Sequence, residues 1–309
     1  MMTFTQTPPL RLAVSFRCYF LLTSLLIFAH RVAAQDDLMN ELEESEKKET
    51  IYTGQTFKGS RLVNGQSVET RGKGELELII SHRFGALNSG AYEFWGLDQA
   101  SMRIGLEYGI TDRLGLSIGR STNDKTIDSY VKYKLARQST GYKNFPFTIT
   151  AVGSGYYKTS PKASDNPDVK SVDRLAYAAE LLIARKFSPR VSVQLMPIIV
   201  HRNSVSESTE NHDDIALGLG GRYKITRSIT LTGEYFYRLN PHEATPYYNG
   251  IGFGVDIETG GHVFQLIFSN SLGMIDRSIV AETDNNAADG GIHFGFNITR
   301  AFYPGRKKH

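Results

Sequence analysis

Residues 101–120 read SMRIGLEYGITDRLGLSIGR, and the fold follows from how that stretch is parsed. Met102, Ile104, Leu106, Tyr108 and Ile110 alternate with Arg103, Gly105, Glu107 and Gly109. Thr111, Asp112 and Arg113 then turn the chain into Leu114, Leu116 and Ile118, so the spacing predicts a β-hairpin with one apolar face and one small or charged face. A soluble sandwich packs its apolar face on a second sheet. A membrane barrel turns that face to lipid and keeps glycine and polar groups for its lumen.

Ten further arms of the same kind surround it. From Glu75 onward twelve alternating segments are expected: 75–84, 101–110, 114–120, 128–137, 145–156, 174–186, 191–201, 214–224, 229–237, 249–257, 262–270 and 290–302. Twelve is even, as a single-chain bacterial barrel requires. Tight turns are expected at 111–113, 187–190, 225–228 and 258–261, a slightly longer loop after 128–137, and mostly long loops at 85–100, 121–127, 157–173, 202–213, 238–248 and 271–289. Short and long connections alternate, as short periplasmic turns and longer extracellular loops do. The fold expected is therefore all-β: a single antiparallel transmembrane β-barrel of about twelve strands.

The ends set the compartment. Arg11 and Arg17 precede the apolar run Tyr19–Ala29, and Val32 and Ala34 supply small residues ahead of Gln35. That is a secretory signal peptide over residues 1–34, with a core too short to span a bilayer. Removing it takes the single cysteine, Cys18, and three of the 35 basic residues, leaving 32 against 32 acidic ones. The full-chain pI near 8.8 then gives no warrant for a nucleic-acid partner. Residues 35–74 read as a periplasmic leader: an acidic stretch, DDLMNELEESEKKET, then a short hairpin around Asn64-Gly65 at or in the barrel mouth. Residues 75–302 form the barrel, and 303–309 a basic tail.

The stretches ETRGKGELELIISHRFG, FWGLDQASMRIGLEYGITDRLGLSIGR, YVKYKLARQ and GGHVFQLIFSNS resemble the Bacteroidetes-type outer-membrane β-barrel family of unknown function, from about Phe57 to Phe302. The resemblance implies a barrel in an outer membrane, with outer-membrane lipid and the barrel-assembly machinery as partners, and no assigned reaction. The tail YPGRKKH after Phe302 departs from the generic outer-membrane pattern, in which the last strand ends the chain.

For chemistry, a barrel of this size has a backbone radius of roughly 12 Å and a narrow lumen. Its expected lining includes Glu77, Arg103, Glu107, Lys132, Glu180, Arg222, Glu234, Asp256 and His293, with Glu75, Arg83, Asp128, Lys134 and Asn297 beside them. The mixed signs favour acid–base pairs across neighbouring strands over a filter of one charge. Lumen-facing glycines at 105, 109, 115, 119, 218, 220, 250, 252 and 254 either ease strand curvature, the reading preferred, or make room for a ligand or for the segment before Glu75. Ser81 and His82 are adjacent on a strand and face opposite sides, which argues against a rim hydrolase. Glu207, Glu210, His212 and Asp213 read as a solvated loop, because no calcium-loop spacing is present. No catalytic residue, cofactor or metal is expected. The reading is a non-enzymatic outer-membrane barrel, either a narrow channel or a docking element for a periplasmic partner; the alternative is a small outer-membrane enzyme acting on lipid or surface polymer.

Overall fold

The computed structural model describes residues 39, 41–42, 49–160, 170–205, 210–241 and 247–303. The signal peptide, most of the acidic leader, Glu207 and the tail after Tyr303 lie outside them. The chain divides into two units, Met1–Ile51 with Thr140–Asn144, and Tyr52–Ser139 with Phe145–His309. Two short strands, β1 (Thr50–Tyr52) and β6 (Ser139–Gly141), pair as a two-stranded sheet.

The second unit holds the barrel. Its strands are β2 (Leu76–Ala86), β3 (Ala100–Gly109), β4 (Leu114–Ser121), β5 (Thr126–Ala136), β7 (Thr148–Lys158) and β8 (Leu175–Lys186), then β9 (Val191–Arg202), β10 (Asp213–Lys224), β11 (Ile229–Arg238), β12 (Gly250–Glu258), β13 (His262–Ser269) and β14 (His293–Phe302). Each pairs antiparallel with its chain neighbours, and β14 returns to β2 in the register Phe302↔Leu76 and Ile298↔Ile80, so twelve strands close with no edge. Closure satisfies every strand's backbone without water, the condition for crossing a bilayer as sheet. The seam carries a register shift between His293 and Gly295.

The alternation read from residues 101–120 is the alternation observed: on β3 every second residue from Ser101 to Gly109 is buried and those between are exposed. The outward face carries Ile104, Leu106, Leu195, Ile199, Phe253 and Leu266 among others, all exposed and apolar. Tyr108, Tyr133, Phe187, Tyr223, Phe264 and Phe302 ring it near the short-turn end.

Three of the short turns share a device. Thr111 Oγ1 accepts from the backbone N–H groups of Arg113 and Leu114, Ser188 Oγ from Arg190 and Val191, and Thr226 Oγ1 from Ser228 and Ile229. A hydroxyl at the second turn position thus replaces the ladder partner these N–H groups lack. One expected long loop is short: β4 and β5 are joined by 122–125 alone, because both strands run further than their apolar residues indicate, with Asp124 and Lys125 in left-handed backbone conformation making the turn.

Candidate functional site

The lumen is filled with protein. Residues 53–75 precede β2 and run up inside the barrel from the short-turn end. They are tied there where Gly74 N donates to Gly109 O (2.8 Å) and Lys73 N to Asp112 Oδ1 (3.0 Å). The segment doubles back at Asn64-Gly65 as a hairpin, with Leu62 N on Gly65 O and Ser67 N on Ser60 O, both 2.9 Å. Phe57, Leu62, Val63 and Val68 are buried, as are Asn64, Gln66 and Glu69.

A hairpin tip buried in a lumen exposes N–H and C=O groups that need partners, and the wall supplies them. Glu234, from β11, accepts from three consecutive backbone N–H groups: Val63 (3.1 Å), Asn64 (2.7 Å) and Gly65 (3.0 Å). Gln265 Nε2 donates to Leu62 O (2.7 Å) and Asn297 Nδ2 to Val63 O (3.2 Å). The Asn64 side chain donates to Ser269 Oγ (2.9 Å) and accepts from Arg83 (2.8 Å). On the other arm, Val68 N donates to Gln194 Oε1 and Val68 O accepts from Thr150 Oγ1, both at 2.8 Å.

The expected lining residues sit in this frame as follows. Glu77 pairs with Arg71 (3.2 Å) and accepts from Ser60 Oγ (2.9 Å). Arg103 pairs with Asp128, with Nε 2.9 Å from Oδ1. Glu107 accepts from Tyr130 Oη (2.8 Å). Lys132 Nζ donates to Ser60 O (2.6 Å), and Lys134 pairs with Glu69 (3.4 Å). Asp256 accepts from Thr232 Oγ1 (3.2 Å) and Gln265 Nε2 (2.6 Å). His293 Nδ1 lies 2.9 Å from Phe84 O. Arg222 is half-buried, and Glu180 is buried with neither carboxylate oxygen in a hydrogen bond among the described residues.

Pairing across neighbouring wall strands is found at Asp214 on β10, which takes Arg202 from β9 and Arg238 from β11, both at 2.9 Å, whereas the expected lining residues pair otherwise. Arg103 reaches past β4 to Asp128 on β5, while Glu77 and Lys134 take partners from the inserted segment. Burial of Arg71 works against its charge, but Glu77, Glu107, Glu75 and Glu69 around it more than offset that and hold the guanidinium more firmly protonated than a free arginine.

A second insert enters from the other end. The connection from β13 to β14 folds into the barrel and carries a one-and-a-half-turn helix, α1 (Asp276–Ala281), all six of whose residues are buried. The two inserts meet: Arg61 Nη1 donates to Met274 O (3.2 Å), and Gln66 Nε2 to Asp276 Oδ2 (3.0 Å). Tyr156 Oη from β7 also reaches Asp276 (3.3 Å).

At Gly109, Gly220, Gly250 and Gly252 the missing side chain makes room for these inserts. A Cβ at Gly220 would collide with Leu62 Cδ1, one at Gly250 with Ile279 Cγ1, and one at Gly109 with Gly72 O. At Gly105, Gly119, Gly218 and Gly254 the nearest atoms are instead side chains of the wall, among them Arg103, Phe236 and Gln265. The lumen is not polar all round. The β2–β5 wall presents Glu77, Arg103, Glu107 and Lys132, whereas the β7–β11 wall, beside Thr150, Glu180, Gln194 and Glu234, presents Val152, Leu182, Met196, Ile198 and Phe236 in one apolar cluster with Phe57, Leu62, Val68 and Ile279. Covering by the inserts is what lets a barrel wall be apolar inside as well as out.

At the rim, Ser81 is buried inside while His82 faces out, its ring stacked on Phe296 (centroids 5.1 Å apart). Glu210 pairs with Arg202 (3.2 Å) and Asp213 with His201 (2.7 Å). Among the described residues no group of three or more His, Cys, Asp and Glu side chains is placed to hold a metal.

No curated protein matches the chain at a significant level. Solved structures with a similar course include the NanC porin (11% identity, TM-score 0.44, covering 74% of this chain and 98% of that one). Others are the KdgM porin (11%, 0.44, 74% and 99%) and the COG4313 outer membrane channel from Pseudomonas putida F1 (14%, 0.44, 76% and 98%). The family described as Membrane bound beta barrel domain (DUF5777) matches residues 57–302, the whole barrel together with its inserted hairpin, and the chain belongs to that family.

Proposed function

We propose that the protein is a non-enzymatic barrel of the outer membrane of a Bacteroidetes-type bacterium, with its short turns in the periplasm and a passage closed at rest by its own N-terminal segment. The observation that carries this reading is the grip of Glu234 on Val63, Asn64 and Gly65. A buried carboxylate is stable only with donors around it, and here all three come from the hairpin. Apart from backbone bonds at its two ends, Gly74 N on Gly109 O and Thr53 N on Gln138 O, the segment is joined to the wall through side chains, so it can leave without breaking the strand ladder. The absence of an enzymatic role is supported by the rim, where Ser81 and His82 point to opposite sides of the wall.

The mature chain, reconstituted in a planar bilayer, is expected to pass almost no steady current, and deletion of residues 35–70 to open it. Large, steady conductance from the intact mature chain would refute closure. A periplasmic docking role is the second reading, favoured by the position of the segment's base at the short-turn end, where a partner could take hold of it.

A further inference from the structure

The apolar cluster on the β7–β11 wall has no use in a passage for sugars or small ions, because water lying on it is unfavourable. Resting on the reading that the N-terminal segment leaves the lumen, we infer that the opened passage takes a carboxylate-headed amphiphile with a long alkyl chain.

The inserted segment has the chemistry of such a ligand. Phe57, Leu62 and Val68 lie on the apolar cluster that includes Leu182, Met196 and Phe236. The residue after Val68 is Glu69, whose carboxylate pairs with Lys134 at 3.4 Å. Two residues along the same face of β5, Lys132 donates to backbone carbonyls of the segment, Ser60 O at 2.6 Å and Ser67 O at 3.4 Å, and its ammonium also lies 5.3 Å from the centre of the Tyr130 ring of the wall. When the segment withdraws, Lys132 and Lys134 lose these acceptors while the apolar wall loses its cover. Arg103 keeps Asp128 and Glu107 keeps Tyr130, since those partners belong to the wall. Withdrawal also strips Glu77 of Arg71 and Ser60 and Glu234 of its three N–H donors, but those acids stand on β2 and β11; beside the alkyl-lined surface of β7 and β8 it leaves the Lys134 ammonium without its carboxylate, and a fatty carboxylate satisfies surface and charge at once.

The test uses the full mature chain in nanodiscs, as wild type and as the double variant Leu62→Glu, Val68→Glu. That change places two acids against the apolar wall and leaves every strand intact. The probe is palmitic acid carrying a photoreactive diazirine on its chain, and labelled positions are read by mass spectrometry alongside bilayer conductance. The variant is expected to conduct and to label at Leu182, Met196 or Phe236. Labelling should rise roughly tenfold over wild type, whose lumen is competent only in the fraction of molecules with the segment out. Unlabelled palmitate should compete and glucuronate should not, and adding Lys134→Gln should weaken the labelling. A variant that conducts yet labels only at outward residues such as Leu181 and Leu195 would overturn the amphiphile and leave the closed passage standing. A variant that neither conducts nor labels inside would overturn the closed passage, and this inference with it.

Discussion

Glu234→Ala is the substitution that most directly probes the closed lumen. It deletes the acceptor of three backbone N–H groups at 2.7–3.1 Å and touches no other polar group of the hairpin. Hydrogen bonds to a charged group contribute about 1.5–3 kcal/mol each. Three would sum to about 4–9 kcal/mol, but water can follow the truncated side chain and the wall gains by no longer burying a carboxylate, so a loss of about 3–4 kcal/mol is the better figure. At 1.4 kcal/mol per decade the population with the hairpin withdrawn rises between a hundred- and a thousandfold. Single-channel recording in a planar bilayer reads this as open probability. Glu234→Gln, which keeps one acceptor oxygen, should fall between wild type and Ala. Current unchanged in both variants, with the fold intact by circular dichroism, would refute the idea that this carboxylate holds the passage shut.

Single cysteines at Ser160 and Asn285 should label with an impermeant maleimide on whole cells and one at Ser228 should not; the reverse would invert the assignment of periplasmic and outer ends. Leu106→Arg places a charge on the lipid side of β3 and should cost about 2–4 kcal/mol if it lies near the midplane, read as a lower urea midpoint for folding into vesicles. Glu107→Gln, on the inner side and still able to accept from Tyr130, should cost less, and equal costs would mean that the faces are assigned wrongly. Gly250→Val cannot coexist with Ile279 in its observed place, so α1 should be expelled and the 270–292 connection become sensitive to added protease, while the strands stay protected.

The wall is legible in the sequence because its signal is repeated. Residues such as Leu106 and Glu107 alternate through twelve segments, and each repeat fixes the same inside–outside parity, so an error in one is corrected by the next. The contents of the lumen are not periodic and are harder to read. Asn64-Gly65 marks a turn but does not say what it turns against. The helix α1 spans Asp276–Ala281, too short for a helical period to stand out, and it falls in what reads as a loop. One local signal does point to the filling. LAYAAELLIA in β8 and QLMPIIV in β9 are apolar on both faces but for Glu180 and Gln194, whereas a strand between lipid and water should alternate. Leu182, Met196 and Ile198 therefore demand an apolar cover on the inner side of the wall. The lumen pairings, such as Glu69 with Lys134, join residues far apart in sequence and no local pattern encodes them.

That the segment filling the lumen is part of the same chain, anchored at Gly74, sets the terms on which anything else can occupy its place. A tethered occupant is not diluted when the cell is: a short flexible connection gives it an effective concentration on the order of millimolar whatever the abundance of the protein. A free molecule present at micromolar levels meets a standing handicap of about a thousandfold, or roughly 4 kcal/mol, before contacts are compared. Occupancy by an outside molecule then responds steeply to any event that strains or shortens the tether, such as a pull on the acidic leader, and only weakly to that molecule's own concentration. The barrel is arranged as an intramolecular competition, biased in advance toward the closed side.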